Sequence, residues 1–117
     1  MAGLSQAEQQ ATLAARFTSG DYIAYSTNGT SEWAGLARTA IGSWSAPTAA
    51  TPSAVSNTAA LTSAAATAAG TVTHFAVVSA ASGGTQRTDW TTFSQSKTLA
   101  VGDRATHAVG AIQVTLD

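Results

Sequence analysis

The chain has no cysteine, a single methionine, two prolines and only eleven charged residues among 117. Without cysteine there is no disulfide framework and no thiolate for a metal, and folding does not depend on the redox compartment. The five cationic side chains, Arg16, Arg38, Arg87, Lys97 and Arg104, are scattered and outweighed by six acidic ones, for a net charge of −1. That distribution lacks the basic stripe of a nucleic-acid-binding surface, so no nucleic acid is expected as a partner. No segment approaches the ~18 consecutive apolar residues of a membrane span, and the N-terminus lacks the cationic start and apolar run of a signal peptide. The expectation is a soluble product made in the cytoplasm, with no membrane partner.

Bulky apolar residues are scarce as well: Leu, Ile, Val and Phe together number 19, whereas Ala, Thr and Ser number 27, 19 and 13. Such a poor core would predict disorder if charge were high, but charge is low and β-branched residues are plentiful, so the chain reads as folded and mainly β. A chain of this length supports one domain, burying roughly two-thirds of the surface its unfolded form exposes. An alanine methyl contributes little beside the roughly 1.5–3 kcal/mol of a buried Leu, Val or Phe. With no disulfide or metal to compensate, association into a small homo-oligomer, such as a trimer, is the expected source of added stability.

Residues 1–20 read as an N-terminal helical segment and 21–117 as the β part of one domain. Leu4 to Phe17 is the helix, with Ser5 and Glu8 at capping-box spacing and Leu4, Ala7, Ala11, Leu13, Ala14, Ala15 and Phe17 supplying apolar periodicity. Its alanine-rich face implies close packing on a flat surface, either the protein's own sheet or another copy. Tyr22 to Thr27 alternates as a strand and runs into Asn28-Gly29, a favoured hairpin turn. Leu36 to Trp44 alternates too, whereas Ser45 to Ser53, with Pro47 and Pro52, reads as a loop or edge segment. Val55 to Leu61 and Thr71 to Ala80 are the next strands, the latter apolar enough to be central. Ser63 to Gly70 between them fits a turn or a small-residue strand. Ser82-Gly83-Gly84 is expected to turn Thr71–Ala80 back into a hairpin with Thr85 to Thr92. Gly102-Asp103 separates Lys97–Val101 from a last strand over Ala105–Leu116. Many short strands at such intervals predict a small β-sandwich or jelly-roll-like domain with one N-terminal helix.

Residues equipped for chemistry are few. His74 and His107 fall inside predicted strands and read as structural, with no accompanying ligand set, so neither metal nor cofactor is expected. There is no Gly-x-Ser-x-Gly elbow and no acid placed beside a base, which argues against an enzyme. Ser82-Gly83-Gly84 precedes a strand instead of the helix that a phosphate-binding loop requires. Asn28-Gly29-Thr30 matches a glycosylation acceptor, but Asn-Gly is also the favoured tight turn. Trp33, Trp44 and Trp90 suit a core or an interface, or the stacking face of a sugar site. Leu13 and Phe17 on the helix join them as candidate interface residues.

Six ordered blocks carry a family resemblance: Tyr22-Ile23-Ala24-Tyr25-Ser26-Thr27 and the Trp/Gly/Arg segment after it, Ser56 to Leu61, Gly70 to Phe75, Ala80 to Gly84, Ser96 to Leu99, and Gly110 to Asp117. In these the chain resembles the small virion proteins of tailed bacteriophages, variously labelled tail fibre, minor tail or capsid decoration proteins. The resemblance implies a non-enzymatic part of the virion whose partners are other phage structural proteins, either the major capsid protein or tail proteins. The chain's shortness, without stalk or collagen-like repeat, inclines this reading toward a capsid decoration or cementing protein, with a tail fibre or tail-tip subunit as the alternative. A receptor- or carbohydrate-binding β module is the rival from a different class.

Overall fold

A computed structural model describes residues 4–50 and 52–116. Residues 1–3 of the expected helical segment, Thr51 of the expected loop and the final Asp117 lie outside them.

The helix, α1, spans Gln6–Arg16. Ser5 caps it, its Oγ accepting the backbone N–H of Glu8 at 3.3 Å, which satisfies one of the unpaired amides of the first turn. The face it buries differs from the alanine face. Gln9 and Leu13 are its buried residues, while Ala7, Ala11, Ala14 and Ala15 are exposed. Gln9 is 1% exposed because its amide works in both directions: Nε2 donates to Leu4 O at 3.0 Å and Oε1 accepts from Ser53 N at 2.9 Å. A polar side chain therefore fastens the helix to the β part, beside the apolar anchor Leu13.

Eight strands follow: β1 Tyr22–Ser26, β2 Thr39–Ala40, β3 Ser53–Ser56, β4 Leu61–Thr62, β5 Gly70–Val78, β6 Thr91–Leu99, β7 Thr106–His107 and β8 Gln113–Leu116. A four-stranded antiparallel sheet has the order β2-β1-β5-β6, and two-stranded ladders pair β3 with β8 and β4 with β7. Side chains from α1 and from all three sheets share one buried apolar cluster, including Leu13, Ile23, Tyr25, Val55, Leu61, Val72, Val77, Leu99 and Val114. The result is the expected mainly β architecture, a small β-sandwich with one N-terminal helix. The apolar Thr71–Ala80 segment is internal to the large sheet, as its composition predicts.

Several boundaries differ from the sequence expectations. Asn28-Gly29 does turn the chain, with Asn28 Oδ1 accepting from the backbone of Thr30 and Ser31, but a long loop to β2 replaces the tight hairpin. Arg38 ties that loop to the glycine turn: its Nε and Nη2 bind the Glu32 carboxylate, and its Nη1 donates to Ala80 O and Gly83 O. Only Thr39–Ala40 of the Leu36–Trp44 segment is strand, because Gly42 turns the backbone to φ +82°, a region that interrupts a strand and that glycine enters freely. The hairpin partner of β5 is Thr91–Leu99, displaced from Thr85–Thr92. Only a single bridge, Val78 to Gln86, follows the glycine turn directly. Within the β5–β6 pair the register jumps between Val72↔Lys97 and His74↔Thr92. Phe93 to Ser96 thus bulge opposite Thr73, which swings the Phe93 ring toward the core. The expected strand Ala105–Leu116 is divided into β7 and β8 by a turn at Val109-Gly110.

Candidate functional site

Buried polar and aromatic side chains gather in two places. The first is an aromatic stack inside the sandwich. Tyr25 from β1, His107 from β7 and Phe93 from the β6 bulge lie nearly parallel, with Tyr25–His107 and Phe93–His107 centroids 5.8 and 5.7 Å apart. Phe75 of β5 closes the group at 4.9 Å from Phe93. The Tyr25 hydroxyl lies 2.6 Å from Thr39 Oγ1 and 2.9 Å from His107 Nε2. A chain in which Thr39 donates to Tyr25 and Tyr25 donates to a neutral His107 satisfies all three polar groups. Burial pushes the His107 imidazole down to about 4, and the Lys97 ammonium adds to the effect. Burial likewise pushes the Tyr25 phenol up to about 12, against the opposing hydrogen bond from Thr39. Both groups are thereby held neutral and serve packing.

His74, the second histidine, is half-buried in β5, with Nδ1 2.7 Å from Thr73 Oγ1 and its ring against Gly29. Among the described residues no three of His, Asp and Glu come together as a metal ion would require.

The second place is Asp21, just before β1 and 1% exposed. Its Oδ2 accepts from Thr18 N at 2.9 Å and from the Trp44 indole at 3.1 Å, and its Oδ1 accepts from Arg87 Nε at 3.1 Å. A buried carboxylate with this many donors, one of them cationic, is compensated for lost hydration. Asp21 thus joins the end of α1, the segment after β2 and the segment after the glycine turn.

Arg87 lines a groove of about 830 Å³ between the C-terminal half of α1, residues 85–91 and β8. Its floor includes the buried Leu13, Phe75 and Val114, and its rim carries mostly threonine, glutamine and arginine. A second groove of about 530 Å³ runs between β6 and the β7–β8 region.

The sequence candidates occupy different environments. Leu13 is inside the core. Phe17 and Trp44 are half-buried and meet edge to face, 5.6 Å between centroids. Trp33 is half-buried, its indole laid over Gly35 and Gly70 so closely that a Cβ there would come within 2.2 and 2.7 Å of the ring. Trp90 is half-buried just before β6. Of the five, only Phe17 and Trp44 make a ring contact with each other. Sequence reasoning passed over Asp21, Gln9 and Asn57. Their one legible signal is a polar side chain within a predicted element, Gln9 in the helix and Asn57 in a strand, or directly before one, Asp21 ahead of the first strand.

No helix among the described residues is long and apolar enough to cross a membrane. What the fold and its polar contacts define is a small antiparallel β protein in which buried polar groups hold the structure together. The family described as podophage GP4 fiber I protein gp80 matches residues 5–115, and the chain belongs to that family. Membership makes it a phage fibre structural protein and a component of the virion, in accord with the tailed-phage resemblance. No curated protein matches the chain.

Proposed function

We propose that the chain is a non-enzymatic fibre subunit that self-associates and docks on other structural proteins of the phage tail. The observation that carries this reading is the family match over residues 5–115. It favours the fibre role over capsid decoration. Physically, the subunit works by surface contact. The exposed parts of Phe17, Trp33, Trp44 and Trp90 are the aromatic contact candidates, and Val101 and Val109, 69% and 64% exposed, offer further apolar surface. Leu13 acts from inside by holding the helix that presents Phe17. The shared apolar cluster supports a single domain, with the helix as part of it.

Cryo-electron microscopy of the purified particle, combined with quantitative mass spectrometry of its proteins, tests the assignment. Density for this fold in tail-attached fibres, at a handful of copies per particle, is expected. Hundreds of copies over the shell would make it a decoration protein instead. Sedimentation of the isolated protein tests self-association: a single monomeric species at micromolar concentration would overturn that part of the reading.

A further inference from the structure

The Asn28-Gly29 turn carries chemistry that the fibre role does not use. Asparagine followed by glycine is especially open to self-deamidation, because no side chain on the second residue shields its backbone nitrogen from the asparagine amide. The geometry of the turn requires that glycine. Gly29 sits at φ +78°, a region that side chains disfavour, and a Cβ there would come within 2.8 Å of His74 Nε2. Asn28 is exposed, so water reaches the reacting amide.

Two features of the turn act in opposite directions. Asn28 Oδ1 accepts from Ser26 Oγ, Thr30 N, Thr30 Oγ1 and Ser31 N at 3.0, 2.9, 3.0 and 3.1 Å. Donors crowded onto one carbonyl oxygen polarise its carbon and stabilise the charge that builds on the oxygen during attack, as in an oxyanion hole. The nucleophile, however, is withheld. The Gly29 N–H, whose proton must leave before the nitrogen can attack, donates to Ser26 Oγ at 2.9 Å. The Asn28 N–H donates to the same oxygen at 3.2 Å, and Ser26 is fully buried at the end of β1. One hydroxyl thus fixes the backbone on both sides of the reacting residue.

We propose that Asn28-Gly29 is a primed deamidation site and that the Ser26 hydroxyl keeps it closed in the folded chain. Once the turn opens and Ser26 lets go, the Gly29 nitrogen loses its proton and attacks Asn28 Cγ. A C–N bond forms, the Cγ–Nδ2 bond breaks, and ammonia departs carrying a proton equivalent to the one lost. Water then opens the resulting succinimide at either carbonyl, leaving aspartate or isoaspartate. The isoaspartate product routes the main chain through an extra carbon, which moves Gly29 from its place against His74. The fibre assignment stands or falls without this site.

The test is peptide mapping by mass spectrometry of the full chain held in mildly alkaline buffer, following the amide-to-carboxylate mass change and isoaspartate at position 28. The folded wild type is expected to stay intact while the chain in denaturant reacts. Ser26→Ala removes the hydroxyl but leaves the Thr30 and Ser31 donors, and it is expected to speed reaction of the folded chain at least about tenfold. Ile41→Val controls for general loosening: it lies in the core near Asp21, at the opposite end of β1. Compared equally far below each variant's melting temperature, it is expected to react no faster than wild type. Hydrogen exchange of wild type, which needs no variant, should show the Gly29 amide protected. A folded wild type that reacts as fast as the unfolded chain, a Ser26→Ala chain as slow as wild type, or an Ile41→Val chain as fast as Ser26→Ala would overturn the proposal. So would a Gly29 amide that exchanges at the rate of an unstructured loop.

Discussion

In the large sheet, β1 and β5 are joined by five consecutive residue pairs, and the interior they cover is apolar, from Ile23 and Ala24 to Ala76, Val77 and Val78. The two short ladders have four and two pairs, and side chains complete what their backbones lack. Asn57, fully buried, accepts from Ile112 N with Oδ1 and donates from Nδ2 to Ala59 O and Ala108 O. Ser63 accepts from Ala105 N and donates to Ala64 O, while Arg104 binds the Ser63 carbonyl. One region is secured by apolar burial on a regular ladder, the other by polar side chains acting as substitute backbone. A chain short of bulky residues can thus order long irregular connections, provided that each buried polar group is satisfied.

Removing one substitute should therefore cost more than removing one methyl-rich side chain. Asn57→Ala takes its partner from the Ile112 amide and the Ala59 carbonyl, while Ala108 O keeps its bond from Ala111 N, and is expected to destabilise by about 3–5 kcal/mol, against about 2–4 kcal/mol for Ile23→Ala. Chemical denaturation of both variants measures the difference, and a milder Asn57 variant would break the comparison. Next in size is a pH effect within the aromatic stack. The folded-state pKa of His107 is lowered to about 4, from about 6.5 when unfolded. The unfolded state therefore binds the proton first, so this contribution is fully present above pH 6.5 and is lost as pH falls toward 4. The loss is about 2–3 kcal/mol. Denaturation from pH 7.5 to 4 should show it, and His107→Gln should flatten that part of the profile.

Tyr25→Phe keeps the stack but strips Thr39 and His107 of their shared partner, for an expected loss of about 1–2 kcal/mol by thermal melting. The smallest effect belongs to Lys97, whose ammonium sits 5.8 Å from the Phe93 ring centroid. Lys97→Met should cost no more than about 1 kcal/mol, and it should raise the His107 pKa, readable by NMR titration.

The regular region was the legible one. Alternation and β-branched density located β1 and β5, and the Ser5 cap located α1, because those signals are local. The ladders were not legible, since Asn57 and Ser63 act on residues 42 to 55 positions away in the chain, and no window of sequence holds both partners. The β6 boundary was missed because Thr85–Thr92 and Thr91–Leu99 are both polar, threonine-containing segments that overlap at Thr91 and Thr92, so composition could not choose the register. For the candidate site, tryptophan drew attention as a large aromatic, yet Trp33 is placed by Gly35 nearby and by Gly70, 37 positions on. The groove beside Arg87 arises from three segments that only the fold brings together.

The four-residue bulge in β6 has a bearing on solubility. A nine-residue strand at the margin of a sheet is a template onto which other chains can zip, and threonine-rich segments of low charge are prone to it. Here the interruption at Phe93 to Ser96 breaks the row of outward-facing amides and carbonyls into two short stretches, and Lys97 adds a charge beside the break. The margin of the large sheet is thereby a poorer template for cross-β growth than an unbroken strand would be.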